Sequence, residues 1–321
     1  MFNNIKLQKD MELITEGRNC KIYKFKSEDG YGMMTMYHVF NGIMIMYNDF
    51  HMSSCKSEFF TDKDLLCVDH CREGRIEQEM ENGTYCYIKS GDLKIDDRYK
   101  HDSNFFFPLS NYHGMNIIFE IEKADKELKK IFPDFPVSMN DLKNKYFSKD
   151  HSFIIRNVKP IDHIFSELYT VPQRIRDYYF KIKIFELLLF LDGLELSQNT
   201  DERPYFYKAQ TEKVKAIHNM LISNLQRSYT LDELARKYDI SLTGMKNCFK
   251  GIYGDPIFTY IRKYKMNKAA GMLRTTKLNV SKIALQVGYE NPSKFSAAFK
   301  QEMRVSPMEY RKSIIGKGET L

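Results

Sequence analysis

Residues 281–311, SKIALQVGYENPSKFSAAFKQEMRVSPMEYR, constrain this chain more than any other stretch. Ile283, Ala284 and Val287 place apolar groups on one face at helical spacing, and Gly288 offers a residue able to take a positive φ where that helix must stop. Asn291 stands where a second helix needs its cap, Pro292 suits the first turn, and Phe295, Ala298 and Phe299 give that helix one buried stripe. Its other side, Ser293, Ser296, Ala297 and Lys300, is small or basic. Such a pair can lay its second helix into a DNA major groove, and it can equally be an ordinary helical hairpin.

A second copy decides between them. Leu234-Ala235, Ser241, Phe249-Lys250 and Tyr260 to Arg262 repeat Ile283-Ala284, Pro292, Phe299-Lys300 and Tyr310-Arg311 in the same order, with the Tyr eleven residues after the Phe in both copies. An apolar-striped segment, Ile257 to Leu273, joins the two. With Met245, Gly254, Ala269, Leu273, Val287-Gly288-Tyr289, Ser293, Phe295-Ser296 and Ser306-Pro307, these residues make 208–313 resemble the C-terminal domain of the AraC/XylS transcription regulators. The resemblance covers about a third of the chain. It implies two helix-turn-helix units bridged by one long helix, in a bacterial regulator that is not an enzyme.

Charge separates the same region from the rest. Residues 208–314 hold 20 Lys and Arg against 8 Asp and Glu, whereas the remainder holds 29 against 34. A basic third tethered to an acidic remainder fits a domain that neutralises phosphates. The first thirty residues interleave Lys6, Lys9, Asp10, Glu12 and Glu16 with apolar positions, so no signal-peptide core is expected there. The longest apolar run, Leu187 to Leu191, falls far short of the ~20 residues a membrane span needs. The expectation is a cytoplasmic protein without a membrane partner, in which Cys20, Cys55, Cys67, Cys71, Cys86 and Cys248 stay reduced.

Residues 1–160 are expected to form a β sensor domain. Runs at Gly42–Tyr47, Leu65–Cys71, Thr84–Lys89, Asn104–Phe107 and Met115–Glu120 have strand character, with Gly and Asn-Gly punctuation about every ten residues. Glu81-Asn82-Gly83-Thr84 suits a hairpin turn. The order of hairpin, Gly91-Asp92, Pro108 and His113-Gly114 resembles the cupin-like barrel that many regulators of this family carry. The expected fold class is therefore α+β multidomain: a cupin-like β-barrel with following helices, then an all-α double helix-turn-helix domain. Residues 161–191 read as a helical segment, 192–207 (DGLELSQNTDERP and beyond) as a linker, and 208–314 as the DNA-binding domain. From Pro172 to Leu191 the apolar surface is too wide for one neighbour, which suits either packing on the barrel or a dimer interface through Ile182, Phe185, Leu188 and Leu189.

Candidate chemistry is sparse. Cys67, His70 and Cys71 are zinc-ligand types, but on a strand His70 faces away from the two cysteines. His113 has no His-x-His partner and reads as a core or pocket histidine, the one candidate for a ligand contact; no metal and no cofactor are expected. Nucleotide loops, hydrolase elbows and paired catalytic carboxylates are missing from the sequence. An alkyl-transfer repair protein sharing this DNA-binding domain would need a cysteine cluster near the start, where Cys20 stands alone.

In the first reading helix Met245, Cys248 and Phe249 form the inner stripe, leaving Thr243, Lys246, Asn247 and Lys250 outward. Asn247 can pair with adenine, Lys246 can reach guanine, Thr243 suits thymine, and Lys250 suits phosphate. The resemblance carries base contacts to Ser293, Lys294 and Ala297 in the second helix, with Lys300 beside them, a chemically poorer set better suited to positioning. The expected partners are double-stranded operator or promoter DNA, a small-molecule effector, a second copy of the chain, and RNA polymerase if the protein activates. The alternative is a regulator without a ligand, in which the barrel serves assembly alone.

Overall fold

The computed structural model describes residues 11–27, 29–57, 63–79, 83–98, 103–147, 152–156, 158–196 and 206–318. Two compact units succeed one another along the chain, residues 1–205 and 206–321. Most of the expected linker, residues 197–205, and Glu81 and Asn82 of the expected hairpin turn lie outside the described residues.

In the first unit, β1 (Met11–Glu16), β2 (Cys20–Ser27), β3 (Gly30–Phe40) and β4 (Ile43–His51) form an antiparallel meander. The neighbour of β4 on its far side is β10 (Tyr112–Glu120), which runs between β4 and the long β6 (Leu65–Glu79). β6 gives Cys67–His70 to β8 (Leu93–Asp96) and Arg75–Glu79 to β7 (Thr84–Lys89). β5 (Ser54–Ser57) pairs with β9 (Ser103–Phe106), and β11 (Ser152–Ile155) pairs with β8. A strand shared among so many neighbours must bend, and it bends near Gly74, where φ is +85° and a Cβ would lie 2.1 Å from the Asn111 carbonyl oxygen. The result is a sheet curled on itself, as the β-rich sequence led us to expect.

Both faces of β6 are covered, which explains its unbroken apolar run. Leu66 and Val68 enter a core shared with the helices, while Leu65, Cys67 and Cys71 enter a methionine-rich core with Met36, Met44, Met52, Phe50 and Tyr112. His70 faces away from Cys67 and Cys71, stacks on Phe165 at 4.3 Å, and is pushed by burial down to about 4. It is a core histidine.

A buried ionic network crosses the sheet beside the methionines. Arg98 forks onto both oxygens of Asp69 at 2.7 Å and donates to Asp96 at 3.1 Å. Lys94 pairs with Asp96, Asn116 donates to Asp69 at 2.6 Å, and Asn48 donates to Asn116. Burial opposes the charge on Arg98, but Asp69 and Asp96 overcome it and hold the guanidinium firmly protonated.

The helices depart in part from expectation. α1 (Ile121–Ile131) and α2 (Met139–Tyr146) lie within a stretch expected to belong to a β domain without long helical stripes. Ile121, Ala124 and Leu128 carry helical spacing, but three buried residues among Glu and Lys make a weak compositional signal. α3 (Lys159–Thr170) and α4 (Arg176–Gly193) share their core with the sheet: Ile161, Phe165 and Leu168 pack with Phe180, Ile184, Leu187, Leu188 and Leu191. Of the four expected interface residues, Leu188 is fully buried and Phe185 is half-buried against Phe135 and Phe40. Leu188 is thus a core residue, because α4 turns that side to the sheet. Ile175, Tyr178, Ile182 and Leu189 remain exposed along the opposite stripe.

Candidate nucleic-acid interface

After a short strand, Phe206–Tyr207, helices α5 (Lys208–Ser223) to α11 (Pro307–Gly318) make up the described part of the second unit. Its two helix pairs, α6 (Leu231–Lys237) with α7 (Leu242–Tyr253) and α9 (Val280–Gln286) with α10 (Pro292–Met303), are built by the same local devices.

Each pair starts on a cap. The Thr230 hydroxyl accepts from the Glu233 backbone N–H at 3.2 Å while the Glu233 carboxylate accepts from the Thr230 N–H at 2.7 Å, a complete capping box. Asn279 accepts from the Lys282 N–H at 2.8 Å in the second pair. The first helix then ends on a residue at positive φ, Asp239 (+47°) or Gly288 (+77°), and a backbone bond closes the turn, Ile240 to Ala235 at 3.1 Å or Tyr289 to Ala284 at 2.9 Å. Gly288 cannot be replaced cheaply, since a Cβ there would lie 2.0 Å from the Leu225 carbonyl oxygen.

The outer helices repeat the scheme. Ser241 caps α7 through the Gly244 N–H at 3.1 Å, and Asn291 caps α10 through the Ser293 and Lys294 N–H groups at 2.9 and 3.1 Å. Their last turns close on Gly254 (φ +91°) and Arg304 (φ +66°), whose N–H groups reach the carbonyls of Lys250 and Lys300. Each helix then meets a tyrosine edge-on: Phe249 and Tyr260 at 5.7 Å, Phe299 and Tyr310 at 5.5 Å.

α8 (Ile257–Thr275) bridges the pairs and gives Met266, Ala269, Ala270 and Leu273 to the core of the second, with Ile283, Phe295 and Phe299. Near its other end, His218 of α5 stacks on Tyr253 at 4.2 Å and meets the Tyr260 hydroxyl at 3.0 Å, and burial keeps its pKa low. Arg311 Nη2 donates to the Leu278 carbonyl at 2.6 Å, tying α11 to the entry of α9. Lys265 of α8 lies over the Tyr289 ring at 5.6 Å, beside the second turn.

What this scaffold leaves to solvent is chemically specific. Thr243, Lys246, Asn247 and Lys250 on α7 are exposed, while Met245, Cys248 and Phe249 are buried. On α10, Ser293, Lys294, Ala297 and Lys300 are exposed, while Phe295 and Phe299 are buried. One refinement concerns phosphate: the backbone donors of Ser293 and Lys294 are already engaged by Asn291, so only their side chains are free to reach an anion. Sequence reasoning also passed over Gln210 of α5, which lies against the start of α7, its amide nitrogen 2.8 Å from a Cβ placed on Gly244. Only tertiary packing brings it there.

The helix-turn-helix domain family matches residues 234–313. The chain is 31% identical over 103 residues to the TetD protein of transposon Tn10 from Escherichia coli, covering 32% of this chain and 75% of that one. It is 30% identical over 112 residues to the transcriptional activator AarP of Providencia stuartii, covering 35% and 83%. Against the transcriptional activator RhaR of Mannheimia succiniciproducens it is 26% identical over 129 residues, 40% of this chain and 47% of that one. The chain spans about half or less of the length of RhaR and of the next regulators it matches, at 43% and 28%.

Gly288→Ala is expected to destabilise the second unit by about 1–3 kcal/mol, through left-handed strain and the Leu225 contact. Arg304→Gly should act oppositely, raising stability by up to about 1 kcal/mol because its φ suits glycine. Denaturation of the two variants beside the wild type measures both signs.

Proposed function

The chain belongs to the AraC/XylS family of helix-turn-helix regulators, and on that premise we propose that it is a sequence-specific DNA-binding transcription regulator whose N-terminal unit receives a small-molecule effector, assembles a homodimer, or both. The observation that carries this reading is the pair of capped helices, each anchored by its apolar side and offering polar or basic side chains outward. Asn247, Lys246 and Thr243 are the base readers, and Lys250 and Lys300 the phosphate contacts. The α10 set, with Ala297 at its centre, positions the protein and follows DNA shape. RNA polymerase becomes a further partner if the protein activates.

Footprinting across the gene's own neighbourhood supplies a specific duplex for titration. Asn247→Ala should then cost about 1–3 kcal/mol on that duplex and little on random DNA. Lys250→Ala should weaken both alike and lower the salt slope by about one. Equal loss on both duplexes for Asn247→Ala would remove its base-reading role.

The exposed apolar residues Tyr178, Ile182 and Leu189 of α4, with Ile175 in the turn before it and Glu186 between the last two, support assembly, since apolar side chains along one side of a helix otherwise well packed suit a second copy. Ile182→Glu combined with Leu189→Glu should sediment as a monomer with the first unit folded. Leu188→Glu, by contrast, should unfold that unit, because its charge would enter the core. A double variant that sediments as a dimer removes the interface.

The sensing role draws support from the methionine-rich core, in which Met36, Met44 and Met52, with Met34 and Met46 at its margin, can repack around a guest. Candidate metabolites that raise the melting temperature of the first unit separate this reading from one in which the unit only assembles.

A further inference from the structure

At the outer end of the first unit's sheet, Asp49 and His51 of β4 and His113 of β10 stand on one face. Asp49 and His51 are two residues apart on one strand, and His113 is directly opposite Asp49. His51 Nε2 lies 2.9 Å and His113 Nε2 3.0 Å from the same oxygen, Asp49 Oδ1. These are separations of contact, yet Asp49 Oδ1 is shielded from solvent and accepts no hydrogen bond from either ring. Two imidazole nitrogens thus converge on one carboxylate oxygen, as an ion-paired cluster when protonated and, when neutral, as three donors that a single cation can draw together. Donors about 2.0–2.1 Å from one ion lie about 2.9–3.3 Å from each other, depending on whether the angle is octahedral or tetrahedral. His113, expected to be a core or pocket histidine, is therefore a half-exposed member of a surface trio. Its cross-strand neighbour on the other side is Glu73, held by the Asn111 amide at 3.4 Å, which adds negative charge nearby.

We propose that Asp49, His51 and His113 form a binding site for a borderline divalent cation, of the class of Zn²⁺, Ni²⁺ or Cu²⁺. Imidazole nitrogen with one carboxylate selects such ions over Mg²⁺ and Ca²⁺, which take oxygen sets. As placed, no three His, Cys, Asp or Glu side chains among the described residues could hold a metal ion, so the site forms only when these side chains rearrange around the ion. The trio's side chains are 42–47% exposed, with the His51 ring 5.2 Å from that of Tyr31, so closing the set requires the rings to turn on the solvent-facing side. The site is independent of the proposed regulatory function.

Co²⁺ titrated into the reduced full-length protein reports the ligand type, since nitrogen and oxygen donors give visible d–d bands whereas thiolates add an intense near-ultraviolet band. Displacement by Zn²⁺ then gives the affinity. The wild type is expected to bind one equivalent without the thiolate band. His113→Ala and Asp49→Asn should each weaken that binding by about tenfold to a hundredfold or more, at least matching the loss of an outer-shell partner. His163→Ala, an exposed histidine on α3, should leave it unchanged. His51→Gln provides a third variant if either of the first two fails to fold by circular dichroism. A thiolate-dominated spectrum, wild-type affinity in the trio variants, or no saturable binding would overturn the proposal.

Discussion

Each helix pair of the second unit turns on one residue held at positive φ between its helices, Asp239 in the first and Gly288 in the second. A right-handed residue there would carry the first helix onward, and the second would leave in another direction. The closing bonds from Ile240 and Tyr289 lock the reversal, and the caps Ser241 and Asn291 then launch the outer helices. Everything these helices can offer to a partner depends on that angle, because it decides which stripe of each is buried. Asp suits a left-handed position better than most residues, whereas at 288 the Leu225 carbonyl leaves no room for a Cβ at all.

The ends of the outer helices invert this arrangement. The first pair puts glycine at its end, Gly254, and a side chain at its turn; the second puts glycine at its turn and a side chain, Arg304, at its end. Each pair thus carries one strained non-glycine residue. Strain of this size is tolerable because Phe249 and Phe299 are fully buried and gripped edge-on by Tyr260 and Tyr310.

The first unit meets a different constraint, the burial of charge. Arg98, Lys94, Asp69 and Asp96 sit inside a curled sheet, and two positive groups against two negative ones leave no net charge there. Removing one partner would strand another in a medium that cannot solvate it. The network joins β4, β6, β8 and β10 through side chains, fixing which strands face one another where apolar contact alone would permit slippage.

Much of the second unit was legible in the order of residues: the positive φ of Gly288, the cap Asn291, the repeated Phe and Tyr eleven residues apart, and the outward set from Thr243 to Lys250. Apart from that eleven-residue repeat, each is settled within about one helical turn, by backbone donors that need a partner and by spacing that repeats every 3.6 residues. Strands expected at 42–47, 65–71 and 84–89 were visible from strand-favouring runs between glycine turns, though the structure extends the first to His51 and the second to Glu79; α1 and α2 were masked by their charge. The sequence alone could not say which stripe of α4 faces the sheet, and both candidate stripes are apolar; tertiary packing buried Leu188 and left Ile182 in solvent. Nor could it bring His113 to Asp49 and His51, more than sixty residues earlier. That meeting depends on β10 inserting beside β4 in one register, and a shift of a single residue would turn His113 to the opposite face of the sheet.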